Sequence, residues 1–98
     1  MTETPLFDAL RAYAGRTPAR FHMPGHKGLP PACAPRELSG AYLYDVTELS
    51  ATGSLYDIAP DGPFVRAESL AALAFGADAT LLCAGGATLC IQALMFSL

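Results

Sequence analysis

Charge is scarce in this chain. Of its 98 residues only 15% are Asp, Glu, Lys or Arg, where an average soluble domain carries roughly a quarter. A small domain buries a smaller share of its surface than a large one, so it should be more polar than average. This chain is instead 52% hydrophobic, with a mean hydropathy of +0.33. The imbalance points to apolar surface that something else covers: more of the same polypeptide, or a partner. Positive charge is especially thin. Lys27 is the only lysine, and Arg11, Arg16 and Arg20 are scattered. With a formal charge of −3 and no basic tract, nucleic-acid binding has little support.

Other absences narrow the field further. Cys33, Cys83 and Cys90 are odd in number and form no CxxC, which argues against a zinc knuckle or a disulfide framework. Reduced thiols in a cytoplasmic protein are the simplest reading. The opening MTETPLFDALRAYAG contains acids and no uninterrupted apolar core, so it is no signal peptide. GxxxxGK[ST], GxGxxG and GxSxG are all missing, which removes the P-loop, the dinucleotide fingerprint and the nucleophile elbow. No internal repeat or low-complexity segment occurs. One long uncharged run does exist, ATLLCAGGATLCIQALMFSL at residues 79–98, and about twenty apolar positions can span a bilayer. Gly85-Gly86 splits it, Gln92 interrupts its second half, and no Lys or Arg flanks it. Two buried elements are the plainer reading; a small membrane-associated protein is the alternative.

What is present reads as helices separated by loops. Thr4 can cap a first helix with Pro5 at its first position. Leu6, Leu10, Tyr13 and Ala14 share one face, with Asp8 and Arg11 opposite, and Gly15 stops it. Residues 16–40 hold Pro18, Pro24, Pro30, Pro31 and Pro35 with Gly25, Gly28 and Gly40, which forbid a regular element of any length. Long ordered loops are uncommon and usually functional or disordered. AYLYDVTEL at 41–49 predicts a short strand or extended run, followed by a loop through Gly53 and Tyr56-Asp57. Asp61-Gly62-Pro63 then begins a second helix with Phe64, Leu70, Leu73 and Ala74 on its apolar side and Gly76 at its end. ATLLC at 79–83 predicts a short buried strand. A glycine turn at 84–87 leads into a third helix from near Thr88, which runs to Leu98 without a cap or stop signal and so looks cut rather than finished.

Two stretches carry candidate chemistry. FHMPGHKG at 21–28 gathers both histidines and the only lysine. His22 and His26 have a zinc-like spacing only if helical, and Met23-Pro24-Gly25 between them opposes a helix. Two readings stay open: loop histidines bonded to backbone, or a rigid turn that points imidazoles and an ammonium into a pocket. Asp45, Glu48 and Asp57 show no spacing that suits a paired-carboxylate hydrolase. The second stretch, LLCAGGATLCIQAL, reads as strand, tight turn, helix. Glycines let a ligand approach the backbone, and the first helical amides lack internal partners and favour an anion. The hydroxyl of Thr88 can add a donor. The plainer alternative is a tight turn under a buried helix, with Cys83 and Cys90 as packing residues.

Taken in order, TPLFDALRAYA, FHMPGHKG, YDVTEL, DGP with its helix, FGAD and GGAT resemble the N-terminal part of the Orn/Lys/Arg decarboxylases over roughly residues 4–98. The resemblance implies an α/β fold, the incomplete opening of a fold type I, aspartate-aminotransferase-like major domain. It divides the chain into a helical and irregular arm over residues 1–40 and the truncated start of the cofactor-binding large domain over residues 41–98. It implies pyridoxal 5'-phosphate as cofactor, lysine, arginine or ornithine as small-molecule substrate, a polyamine-type product, and a cytoplasmic homodimer or higher oligomer.

In this resemblance Gly85, Gly86, Ala87 and Thr88 match the turn at the cofactor phosphate. The family often has Ser where Ala87 stands, so one hydroxyl donor is lost while the backbone amides and Thr88 remain. His22, Pro24, Gly25, His26 and Lys27 match a loop that shapes the active site or the dimer interface. No metal is implied. The family's Schiff-base lysine and the acid at the pyridine nitrogen lie downstream of the GG[AS]T helix, and Lys27 does not sit in that lysine's motif. The chain alone is therefore expected to hold no catalytic residue and to be inactive by itself. The alternative is a non-catalytic remnant that acts only through a binding partner.

Overall fold

The structure is a computed structural model that describes residues 3–16, 19–56 and 59–98. Asp57 lies outside the described residues, so the reading of it as a loop acid has no structural counterpart. Four α-helices and a 3-10 helix occur among the described residues: α1 (Pro5–Gly15), the 3-10 helix Arg36–Leu43, α2 (Glu48–Ala51), α3 (Pro63–Phe75) and α4 (Gly86–Ser97). The chain divides into two compact units, Met1–Ala67 and Glu68–Leu98, with the boundary inside α3.

In the first unit α1 forms where the proline and the apolar spacing place it. Pro5 occupies the first turn, where its missing N–H has no helical partner to lose. Tyr13 is buried and Leu6, Leu10 and Ala14 are half-buried, while Asp8 and Arg11 face solvent. The expected Thr4 cap takes a different form. Its hydroxyl donates to Asp8 Oδ2 at 3.1 Å and makes no backbone cap bond. The short α2 packs against α1, and Thr52 at its end is buried with its hydroxyl on the Glu48 carbonyl at 3.1 Å.

Two expected strands do not form, and no strand occurs among the described residues. In place of an extended 41–49, the 3-10 helix runs through Leu43, closed by local bonds such as Leu38 N–H to Pro35 O at 3.0 Å and Tyr44 N–H to Ala41 O at 3.0 Å. Residues 79–83 are neither strand nor buried; Leu81 is 83% exposed. The physical reason is shared. A strand exists by its ladder with a neighbour, and no neighbouring strand is present among the described residues. Other partners therefore take backbone groups: local i to i+3 bonds in the 3-10 helix, and the Glu68 carboxylate for Leu82 N–H at 2.8 Å. The α/β expectation is therefore not met by these residues, which are helical.

The punctuation of α3 is as the sequence predicts. Gly62 O accepts from Arg66 N–H at 3.0 Å at the start. At the end Gly76 takes φ +65, and Ala77 N–H reaches back to Ala72 O at 3.0 Å, the glycine-terminated closure of a helix. Its apolar face differs from expectation: Ala72 is the buried position, while Leu73 and Ala74 are exposed. Helix α4 begins at Gly86, two residues earlier than predicted, and every one of its residues is exposed. A helix apolar on all sides is normally a core helix. Its exposed Leu89, Ile91, Leu94, Met95 and Phe96 are the uncovered apolar surface that the composition announced. No helix among the described residues is long and apolar enough to cross a membrane; α4 has 12 residues where about 20 are needed.

Candidate functional site

The FHMPGHKG loop belongs to the first unit and the GGAT turn to the second, so each is described separately.

The loop is a chain of tight turns, not a helix. Lys27 N–H bonds Pro24 O at 3.3 Å and Leu29 N–H bonds His26 O at 2.9 Å. The Met23–Pro24 peptide is cis, and Lys27 and Gly28 both take positive φ, +56 and +82. Lys27 is a non-glycine residue in a region that L residues rarely occupy. Its ammonium donates to the carbonyl of His22 at 2.6 Å, which closes the turn on itself.

Each histidine has both ring nitrogens engaged. His26 Nδ1 accepts from Gly28 N–H at 3.0 Å. A neutral imidazole carries one proton, so Nε2 bears it and donates to Asp45 Oδ2 at 2.9 Å. The Tyr42 and His26 rings meet in a T-shaped pair, centroids 4.9 Å apart at 87°. His22 is arranged the other way round. Its Nδ1 lies 2.5 Å from Met23 O, which can only accept, and its Nε2 is bonded to the hydroxyl of Tyr13. These contacts favour loop histidines tied to protein groups, and no cluster of three or more metal-ligating side chains occurs among the described residues.

Beneath the loop sits Arg20. Its guanidinium lies 5.1 Å over the Tyr13 ring, with Arg16 at 5.7 Å. Arg20 also donates to Leu43 O at 3.0 Å. Gly28 passes against it so closely that a Cβ there would lie 2.5 Å from its Nη1. Tyr13, Arg20, Asp45 and Tyr42 are thus the residues that hold the loop, and sequence reasoning assigned none of them to it. Tyr13 was legible only as a helix-face residue. The aromatic and arginine signals were present, but their meeting with the loop depends on the path of the chain.

In the second unit the turn brings Cys83, Gly85 and α4 together. Gly85 N–H donates to Cys83 Sγ at 3.3 Å. Gly86 takes φ +71 with open space around its Cα. No side chain caps α4, so the amides of Gly86, Ala87 and Thr88 are the partnerless donors of a first helical turn. That donor set suits a phosphate or carboxylate. The residues present fit the phosphate of pyridoxal 5'-phosphate. They include no amine for its aldehyde: the only lysine is Lys27, whose ammonium donates to the His22 carbonyl.

The cysteines at this turn form a pair. The Cys90 thiol is pushed above its ordinary value, first by its hydrogen bond to Cys83 and then by the charge of Cys83. Because the thiolate is the nucleophile, Cys83→Ala is expected to speed alkylation of Cys90 by iodoacetamide at constant pH. Exposed Cys33 serves as the unchanged internal reference; equal Cys90 rates in both proteins would break the link.

A helical arm, a histidine–lysine loop and a glycine turn opening an apolar helix follow one another along the chain. The chain belongs to the Orn/Lys/Arg decarboxylase family: the family model described as Orn/Lys/Arg decarboxylase, major domain, matches residues 4–98. Among curated relatives, an arginine decarboxylase of Bacillus cereus is 38% identical over 97% of this chain and 21% of its own length. One from Bacillus subtilis is 35% identical over 97% of this chain and 20% of its own length. A third, from Bacillus anthracis, is 38% identical over 97% of this chain and 20% of its own. The chain thus spans about a fifth of the length of the curated relatives it matches. No solved structure matches it.

Proposed function

We propose that these residues form the opening of a pyridoxal-phosphate-dependent decarboxylase of a basic amino acid, with arginine, lysine or ornithine as the substrate class. The observation that carries the reading is the uncapped, glycine-opened start of α4 inside a chain whose family match runs from residue 4 to residue 98. The amides of Gly86, Ala87 and Thr88, with the Thr88 hydroxyl, hold the cofactor phosphate; Gly85 lends shape, since its own N–H is committed to Cys83. When bound, the cofactor supplies an electron-withdrawing ring that takes up the electron pair left as the α-carboxylate departs as CO2. This chain's residues bind and orient. His22, Pro24, Gly25, His26 and Lys27 shape the wall of the site or the subunit interface, and no proton transfer is assigned to them.

The finer architecture is proposed with the activity. Residues 1–40 act as the arm, and residues 41–98 begin a cofactor-binding large domain of α/β type. The remaining polypeptide supplies the neighbouring strands, the cofactor-linking lysine and the cover for α4, in a cytoplasmic homodimer or larger assembly. The exposed apolar faces of α4 support this, because such surface is stable in water only when covered.

The test is direct. The whole protein is expressed, loaded with pyridoxal 5'-phosphate and assayed for CO2 release from arginine, lysine and ornithine. Release from one of the three is expected; loaded protein that releases CO2 from none would overturn the reading. Thr88→Val, which keeps the side-chain shape and removes the hydroxyl, is expected to weaken cofactor binding about fivefold, the worth of one hydrogen bond. Equilibrium dialysis measures it.

A further inference from the structure

Tyr13 is a buried phenol that the decarboxylase reading does not use. It is 5% exposed, it lies in α1, and its hydroxyl meets Nε2 of His22, nine residues along the chain. The two rings are 5.8 Å apart at 52°, so the contact is made through the hydroxyl and not by stacking. On the far side of His22, Nδ1 faces the carbonyl of Met23 at 2.5 Å. A carbonyl only accepts, so Nδ1 carries the ring proton. Nε2 is then an acceptor, and the phenol is the donor that satisfies it.

From this geometry we infer that Tyr13 is the positioning residue of the FHMPGHKG loop: its hydroxyl locks His22 in the Nδ1–H tautomer and so fixes the ring and backbone of the turn. The consequence reaches Lys27, whose ammonium is seated on the carbonyl of this same His22. Arg16 and Arg20 at the Tyr13 ring add to the assignment. A cation over an aromatic face is attracted to it, so the two arginines help hold the ring that carries the hydroxyl. The neighbouring histidine supplies an internal contrast. His26 accepts at Nδ1 from Gly28 and donates from Nε2 to Asp45. The loop therefore holds its two histidines in opposite tautomers, four residues apart, each bonded at Nε2 to a residue outside the FHMPGHKG segment.

The inference stands whether or not the whole protein is a decarboxylase, because its readout is the position of a proton. Nitrogen chemical shifts of 15N-histidine-labelled protein, read with both imidazoles neutral, are expected to show His22 as Nδ1–H and His26 as Nε2–H. Tyr13→Phe keeps the ring, its burial and its arginine neighbours and removes only the hydroxyl. It is expected to move the His22 tautomer ratio toward Nε2–H by about fivefold, the equivalent of one hydrogen bond, and to leave His26 unchanged. A His22 that stays wholly Nδ1–H in the variant, or that is Nε2–H in the unsubstituted protein, would overturn the assignment. Should the variant fail to fold, the unsubstituted protein still decides the matter. A slowly exchanging Tyr13 hydroxyl proton with a cross-relaxation peak to the His22 ring supports the lock, and a rapidly exchanging one without that peak refutes it.

Discussion

Gly28→Ala is expected to destabilise the first unit by about 2–3 kcal/mol, from left-handed strain of roughly 1–2 kcal/mol and the loss of one or two polar contacts. Two independent obstacles meet at this position. Its φ of +82 is one that L residues rarely adopt, and an added methyl would sit 2.5 Å from Arg20 Nη1 and 2.9 Å from Cζ. An arginine head is ordinarily easy to displace. This one is not, because it lies over the Tyr13 ring and donates to Leu43 O. Swinging it aside breaks both contacts and removes the floor of the loop. Arg20 Nη1 is itself buried without a hydrogen-bond partner, so some of that cost returns when the guanidinium reaches water. Urea unfolding measures the total. The steric share is separated by Arg20→Ala with Gly28→Ala: the pair should cost about 1 kcal/mol less than the sum of the singles. Strict additivity would show that the close approach of Gly28 to Arg20 has no energetic weight.

Gly86→Val is expected to weaken cofactor binding about tenfold or more, because a β-branched residue at positive φ costs upwards of 1–2 kcal/mol. At φ +71 with nothing within 4 Å of its would-be Cβ, Gly86 is constrained by backbone conformation and not by crowding. Valine there relaxes toward negative φ, which turns the first amides of α4 away from a common point. Gly85→Ala is the instructive contrast. Its φ is ordinary at −85, but a Cβ would lie 2.2 Å from Leu89 Cδ2 and 2.8 Å from Leu89 Cβ. That substitution strikes helix packing first. Equilibrium dialysis with pyridoxal 5'-phosphate, paired with circular dichroism of the helix content, distinguishes them. For Gly86→Val the affinity should fall with helicity kept; unchanged affinity would remove the turn from the phosphate site.

The helices were legible because their signals are local. Pro5 and Pro63 suit first turns, Gly76 supplies the positive φ that ends α3, and the spacing of Leu6, Leu10 and Tyr13 marks one face of α1. Residues 41–49 and 79–83 misled for the opposite reason. Apolar and β-branched composition shows what a strand would accept, but the ladder needs a partner that these residues do not include. Position 72 was missed as the buried site of α3 because an alanine carries little hydrophobic signal, while Leu73 beside it, 80% exposed, carries much.

The candidate site divides along the same line. FHMPGHKG and GGAT stood out by composition alone, since few other reasons gather both histidines and the only lysine in eight residues. Sequence by itself determined the proline starts of α1 and α3 and the Gly76 stop, the excess of apolar surface, the loop's turns and the family, all of which rest on residue type and short-range order. Only the tertiary structure decided that Tyr13 donates to His22, that Asp45 takes His26, and that Arg20 lies under Gly28. Those pairs are 9, 19 and 8 positions apart along a proline-rich path. No periodicity links such positions, so which side chains meet is set by the turns between them and by the burial of Tyr13.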